Sequence, residues 1–230
     1  MKDNNLIGSL AVGLADIDNY LHKSYHENCL KYPLLIPVAG VNPLRDNKYD
    51  DYLVLKNMGF YGVKIHPRFS SLNLIENKKH LFNVIKICGE IGLAVLFCTY
   101  FDHEGKSIID NPIDYIEEMA IKCDNTNIML MHSGYLEFYS YFKRLSHYKN
   151  LIFDFSYTLM SIKKNNLSEE IKEVFDNYSS KICIGSDWPE YNHDDLINLL
   201  PNYCGHLHQN QIDDICHKNL IRLFDEIKRH

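Results

Sequence analysis

The residues able to do chemistry in this chain stand at the ends of short apolar runs. Asp187 lies in "KICIGSDWPEY" (181–191), where such a run breaks into glycine, serine, an acid and then Trp-Pro. A carboxylate fixed there can take a proton from water or touch a metal ion. His132 closes "NIMLMH" (127–132) just before Ser133-Gly134, a setting for a neutral imidazole ligand or a hydrogen-bonded core histidine. Lys64, His66 and Arg68 fall two apart in "GVKIHPRF" (62–69) and could orient an anionic substrate. Lys64 has other readings: an ion pair with Asp154, or a Schiff-base nucleophile in an aldolase-like site. Cys98, in "LAVLFCTY" (93–100), is either a thiolate ligand for zinc or a small buried hydrophobe. Tyr100, Asp102 and His103 follow the same run and could line the same pocket.

Positioning these groups requires strands. β-rich runs recur at 9–14, 34–41, 62–66, 93–100, 127–132, 151–156 and 181–185. Between them lie helix-length stretches with apolar residues three and four apart, such as "KHLFNVIKICGEIG". Asn111-Pro112 and Asn192 are placed to start two helices, each with an aspartate three residues on. The repeat is about 29 residues, the length of a βαβ unit. Strict alternation predicts parallel strands, because each needs a crossover helix to return to the same edge.

Strand parity then separates a barrel from an open sheet. Lys64 and His66 share one strand face, opposite Val63 and Ile65; Asp154 and Ser156 share another, opposite Phe153 and Phe155. Asp187 continues the face of Cys183 and Gly185. Each polar group sits at a carboxyl end, and a parallel barrel gathers those ends around one mouth. No Gly-x-Gly-x-x-Gly follows the first run, which weakens a dinucleotide-binding sheet. The expected class is α/β: a single (β/α)8 TIM-barrel-like domain over 1–230, incomplete, with seven recognisable parallel strands.

Composition narrows the partners. A net charge of −6 with interspersed signs leaves no basic face for phosphates, so nucleic acid is not expected. The odd count of seven cysteines, with no Cys-x-x-Cys, suits free thiols in a reducing compartment. The first residues carry too short an apolar stretch for a membrane span and no cleavage site, so a cytoplasmic protein is expected. A small-molecule substrate is expected, with a homo-oligomer left open. The sixteen tyrosines show no stacking pattern along the chain and receive no role.

With these pieces assembled, the chain resembles the amidohydrolase-related family, metal-dependent hydrolases of TIM-barrel fold. "GVKIHPRF", "IMLMHSG" (128–134), "LIFDFS" (151–156), "CIGSDWP" (183–189) and the closing "NLIRLF" (219–224) carry the resemblance in family order, from about residue 7 onward. It implies that His132 is the sixth-strand histidine and Asp187 the eighth-strand aspartate, which touches the metal and takes a proton from the attacking water. The implied cofactor is a divalent metal ion, zinc by first choice, that lowers the pKa of bound water and polarises a carbonyl. His132 would be ligand or oxyanion stabiliser, and Lys64 a substrate contact or a carbamylated metal bridge. Two departures stand out: no first-strand His-x-His pair is present, and Cys98 occupies the place of the fifth-strand histidine. His206-x-His208 lies after the last strand, between helices, out of place for a ligand pair. A seven-stranded barrel has two open edges, so the missing strand is expected upstream of Met1, or the gap is closed by a partner or a rearranged segment. The resemblance implies hydrolysis of an amide, ester or lactone in a small, carboxylated substrate. Same-family decarboxylation and a metal-free binding module are the alternatives.

Overall fold

Alternation of strand and helix runs through the whole computed structural model, which describes residues 6–103, 106–162 and 167–227. In chain order come β1 (Ser9–Val12), α1 (His22–Leu30), β2 (Leu35–Val41), α2 (Tyr49–Met58), β3 (Gly62–Ile65), α3 (Lys78–Ile91) and β4 (Ala94–Cys98). A small antiparallel pair follows, β5 (Asp102–His103) and β6 (Lys106–Ser107), then α4 (Pro112–Lys122), β7 (Ile128–Met131) and α5 (Phe138–Leu145). The second half holds β8 (Leu151–Asp154), α6 (Thr158–Ser161), α7 (Ser168–Tyr178) and β9 (Ile182–Cys183). The chain then turns helical through α8 (His193–Leu199), α9 (Pro201–Cys204), α10 (Gln209–Asp213) and α11 (Asn219–Ile227). Asn111 and Asn192 do stand at the N-caps of α4 and α8, but neither side chain makes the capping bond.

Seven strands form one sheet in the order β1-β2-β3-β4-β7-β8-β9, every pair parallel. The sheet curls into a half-barrel, and its two faces bury different sets of side chains. Val63, Ile65, Val95, Phe97, Ile128, Leu130, Leu151, Phe153 and Ile182 point outward into one core shared with the surrounding helices. Val38, Ala94, Leu96, Met129, Met131 and Cys183 point inward into a second core. The alternation expected of a strand buried on both faces is thereby met.

The inner core is completed by the last helix. Leu223 and Phe224 of α11 belong to it, with Leu220, Leu10, Val12, Ile36, Tyr61 and Ile152 packed against it. Phe224 meets Tyr61 edge-on at 5.8 Å. Buried Asn219 pins the helix start by donating to the carbonyls of Ser179 (2.7 Å) and Ile182 (2.6 Å). A single apolar cluster therefore runs from β1 to β9 through α11. Among the described residues, β1 and β9 each have a strand neighbour on one side only.

Candidate active site

The chain leaves β7, β8 and β9 through unusual backbone. His132 (φ 65°), Ser133 (50°), Gly134 (81°), Tyr135 (54°), Tyr157 (63°) and Asp187 (59°) all hold positive φ. Only glycine does so at no steric cost, and such residues concentrate where a fold must present a side chain. At Gly134 a Cβ would also meet the Tyr141 ring at 2.5 Å, so no side chain fits. Hydroxyls brace the segment. Thr99 Oγ1 donates to the Met131 carbonyl (2.6 Å) and accepts from Gly134 N–H (2.7 Å). Ser133 Oγ donates to the Asp154 carbonyl (2.8 Å), and Thr158 Oγ1 to the His132 carbonyl (2.6 Å). Beyond Asp187 the chain turns back, with Glu190 N–H reaching the Asp187 carbonyl at 2.9 Å.

His132 is 7% exposed, and its Nδ1 lies 2.9 Å from the Ser156 carbonyl. A carbonyl only accepts, so Nδ1 carries the hydrogen. Burial, then the Lys64 charge, lower the ring's pKa to about 3. The imidazole is neutral and Nε2 offers a lone pair. That suits ligation or the holding of a water; it does not suit donation to an oxyanion, which differs from one expected role.

Asp154 is occupied by its own neighbours. Its carboxylate accepts from Ser156 N–H (3.1 Å), from Ser156 Oγ, and more distantly from His132 N–H (3.5 Å). Burial pushes its pKa up to about 6, with the Asp187 charge adding to the rise and the Ser156 bonds opposing it. The Lys64–Asp154 ion pair does not form. Among the described residues Lys64, only 6% exposed, has neither a hydrogen bond nor an ion pair. Its ammonium instead sits close enough to act electrostatically on His66, Cys98, His132 and Asp187. Burial raises the pKa of Asp187 from its usual value, against the opposing pull of Lys64.

Among the described residues, His66 and Arg68 each keep one buried nitrogen without a partner, Nδ1 and Nε respectively. His66 Nε2 contacts Cys98 Sγ at 3.6 Å. Burial, together with the charges of Lys64 and Arg68, lowers the His66 pKa to about 3. Arg68 lays its guanidinium 4.6 Å over the Tyr100 ring and donates Nη1–H to the Asp102 carbonyl (3.2 Å). Cys98 is 1% exposed, and burial raises its thiol pKa, so it stands as a protonated thiol. The structure thus gathers Lys64, His66, Arg68, Cys98, His132, Asp154 and Asp187 into one electrostatically linked mouth.

Sequence reasoning named Tyr100 as a pocket residue but missed the three tyrosines that join it. Tyr100, Tyr135, Tyr157 and Tyr191 follow β4, β7, β8 and β9, one from each successive strand. Their rings meet in a chain: Tyr100–Tyr135 at 5.0 Å, Tyr135–Tyr157 at 5.7 Å and Tyr157–Tyr191 at 5.8 Å. Tyr157 also stands edge-on to His132 (5.9 Å). Dozens of residues separate them in the chain, so no periodicity reveals the cluster; their shared position just past strand ends was the available signal. Asp16 was missed too. It ties three loops together, accepting from Asn42 (2.9 Å) and Ser70 (3.0 Å) and pairing with Arg45 (2.8 Å).

His206 and His208 belong elsewhere. His206 Nε2 pairs with Asp176 at 2.7 Å, beside an acidic surface groove lined by α7 and α9, and His208 precedes α10 as its N-cap.

A catalytic zinc needs about three protein ligands. Among the described residues no three His, Cys, Asp or Glu side chains gather closely enough to hold an ion. β1 reads Ser-Leu-Ala-Val and carries no histidine. Lys64 and Arg68 add positive charge to the same mouth, and the Cys98 thiol is protonated. This donor set does not fit a divalent cation.

The comparisons with known proteins agree with the architecture. A family model described as amidohydrolase matches residues 23–225. An uncharacterized TIM-barrel protein from Bordetella bronchiseptica superposes with a TM-score of 0.75 at 14% identity, covering 96% of this chain and 79% of that one. A probable 2-pyrone-4,6-dicarboxylic acid hydrolase from Acinetobacter baumannii, solved with citric acid bound, gives 0.66 at 15%, with coverages of 97% and 85%. Dihydroorotase from Campylobacter jejuni gives 0.65 at 14%, covering 94% and 75%. No curated protein matches the sequence. The likeness extends over nearly the whole described chain, and with the family match it makes this protein a member of the amidohydrolase family built on an incomplete TIM barrel.

Proposed function

We propose that the mouth binds a small carboxylated molecule and hydrolyses an amide, ester or lactone bond in it, with Asp187 activating the water. One observation carries this reading. Among the described residues Lys64 is buried without a counter-ion, and His66 Nδ1 and Arg68 Nε are buried without partners. Leaving such groups unmatched is costly, and a substrate carboxylate would satisfy them. Opposite stands Asp187, whose raised pKa brings it nearer that of a working base.

The steps use groups already in place. His132 Nε2 accepts one O–H of the water and aims its lone pair at the carbonyl carbon. Asp187 takes the other proton as the new C–O bond forms. The Lys64 ammonium faces the oxyanion, a role the neutral His132 tautomer leaves to it. When the tetrahedral species collapses, the C–O or C–N bond to the leaving group breaks, and protonated Asp187 returns its proton there.

Members of this family generally use a divalent metal, and zinc is the ion the resemblance implies. The donor set falls short of holding one, so no step above passes through it. That shortfall favours a second reading, a metal-free barrel that binds the same class of ligand without turning it over. The test is a panel of carboxylated lactones and esters assayed with chelator and with added zinc, comparing wild type, Asp187→Asn and Lys64→Met. A loss of about 10²-fold or more in kcat for Asp187→Asn is expected, with Lys64→Met both raising KM, through the lost carboxylate contact, and lowering kcat, through the lost oxyanion contact. Full turnover in Asp187→Asn overturns the assignment. Binding without turnover in the wild type selects the second reading, and carbon dioxide release selects decarboxylation.

A further inference from the structure

The two imidazoles of the mouth differ in what each can offer a ligand, and a cysteine sets one of them. We infer that Cys98 is a positioning residue. Its thiol hydrogen, donated to His66 Nε2, holds that ring in the Nδ1–H tautomer, so that His66 gives the site a neutral hydrogen-bond donor. That this donor meets a ligand oxygen rests on the carboxylate reading above; the tautomer itself does not.

Counting hydrogens fixes the direction of the contact. Cys98, 1% exposed, is a protonated thiol with one hydrogen to give. Among the described residues, the acceptor within hydrogen-bond distance of its sulfur is His66 Nε2, at 3.6 Å. The backbone N–H of Tyr100 acts on the sulfur as a donor, so the lone-pair side of the sulfur is already engaged. A hydrogen on Nε2 would turn two donors toward each other and strand the thiol hydrogen in a buried site. The ring is neutral, since burial and then the Lys64 charge lower its pKa to about 3, so it carries a single N–H. With Nε2 accepting, that hydrogen stands on Nδ1.

Nδ1 is the nitrogen that is buried without a partner among the described residues. An N–H left unmatched there costs free energy, and a ligand oxygen removes the cost. His132 is fixed to the opposite effect. Its Nδ1–H goes to the Ser156 carbonyl at 2.9 Å, which leaves Nε2 as a lone pair. One imidazole therefore donates and the other accepts, and the two are near enough to act on each other electrostatically. Phe69, edge-on to the His66 ring at 4.5 Å, packs against it from outside this pair.

The test is long-range proton–nitrogen correlation NMR on the full chain labelled at histidine, with the His66 signals assigned from their absence in His66→Phe. Wild-type His66 is expected with its hydrogen on Nδ1 and a bare Nε2. Cys98→Ala removes the donor and should move most of the population to the Nε2–H form, the commoner tautomer of a free histidine side chain. Cys98→Ser keeps a donor at nearly the same size and should retain Nδ1–H, a rescue that packing alone would not produce. Acetate titrated into the same samples should bind about 5-fold more weakly to Cys98→Ala than to wild type, the share of one neutral hydrogen bond, with Cys98→Ser near wild type. A wild-type His66 with its hydrogen on Nε2 overturns the inference, whatever the variants do to folding. An Nδ1–H tautomer that persists in folded Cys98→Ala removes Cys98 as its cause. If acetate does not bind the wild type, the carboxylate reading fails, while the spectra still decide the tautomer.

Discussion

Burying two imidazoles and a carboxyl group in one mouth sets opposing pH demands on the fold. His66 and His132 have pKa values lowered from 6.5 to about 3, so each is neutral when folded and takes up a proton on unfolding between those values. Their contribution to stability is lost as pH falls through that window. Asp154 runs the other way. Its value is raised from 3.8 to about 6, so the folded state holds a proton the unfolded chain releases, and that contribution is lost as pH rises. Asp187 is shifted in the same direction as Asp154. Near pH 5 the balance is two protons gained against roughly one lost, and stability should rise by up to about 1.4 kcal/mol per pH unit. Urea melts between about pH 4.5 and 6 should show the midpoint climbing. His66→Phe removes a ring whose Nδ1 has no partner to lose, and its melts should be nearly independent of pH over the same range. A slope unchanged in that variant would show that His66 does not carry this linkage. Strand parity made Lys64 legible as an inward-facing group, whereas His66 and Asp187 lie past the ends of β3 and β9, where the turn of the chain and not parity sets their direction. It could not show that Asp154 is consumed by Ser156, since that depends on how the chain turns two residues later.

Among elements, the informative unit is the segment that follows β7. Its run of positive φ from His132 to Tyr135 kinks the short 3-10 segment His132–Glu137 and departs from helical dihedrals. Support comes from the hydroxyls of Thr99, Ser133 and Thr158, each bonded to backbone groups. Thr158, fully buried at the start of α6, supplies the donor to the His132 carbonyl. Thr158→Val keeps the shape and removes that donor, leaving a buried carbonyl unmatched at a cost of about 1–3 kcal/mol. Denaturant melts should register that loss, and kcat should fall with it because the carbonyl belongs to His132, the residue proposed to hold the water. Thr158→Ser, which retains the hydroxyl, should recover most of both. A Thr158→Val protein as stable as wild type would mean that the bond contributes nothing. The helices flanking this segment were readable from three- and four-residue spacing. The loop was not, because positive φ at non-glycine residues leaves no mark in composition.

At the scale of the molecule, the question is what holds a seven-stranded half-barrel together when, among the described residues, β1 and β9 are each paired on one side only. Strands and their order were legible, since β/α alternation at a βαβ length permits few other topologies. The use of "NLIRLF" was not. Its amphipathic pattern says that one face is buried but not against which layer, and the outer helical core was as reasonable a destination as the concave side. In the structure Leu220, Leu223 and Phe224 take the concave side and join the inner faces of β1, β2, β4, β7, β8 and β9 in one cluster. If that cluster is what spans the open barrel, its loss should be felt globally. Phe224, 4% exposed, should cost about 3–5 kcal/mol when changed to alanine. Ile221 lies on the same helix at 45% exposure, and its alanine variant should stay within about 0.5 kcal/mol of wild type. The two variants change helix propensity by similar amounts, so their difference isolates the packing of the inner face. Hydrogen exchange should then locate the effect: in Phe224→Ala, the amides of β1 and β9 should lose protection together, although the two strands stand at opposite ends of the sheet. Loss confined to α11 would show that the helix merely rests on the barrel, and that β1 and β9 are held by their single strand neighbours alone.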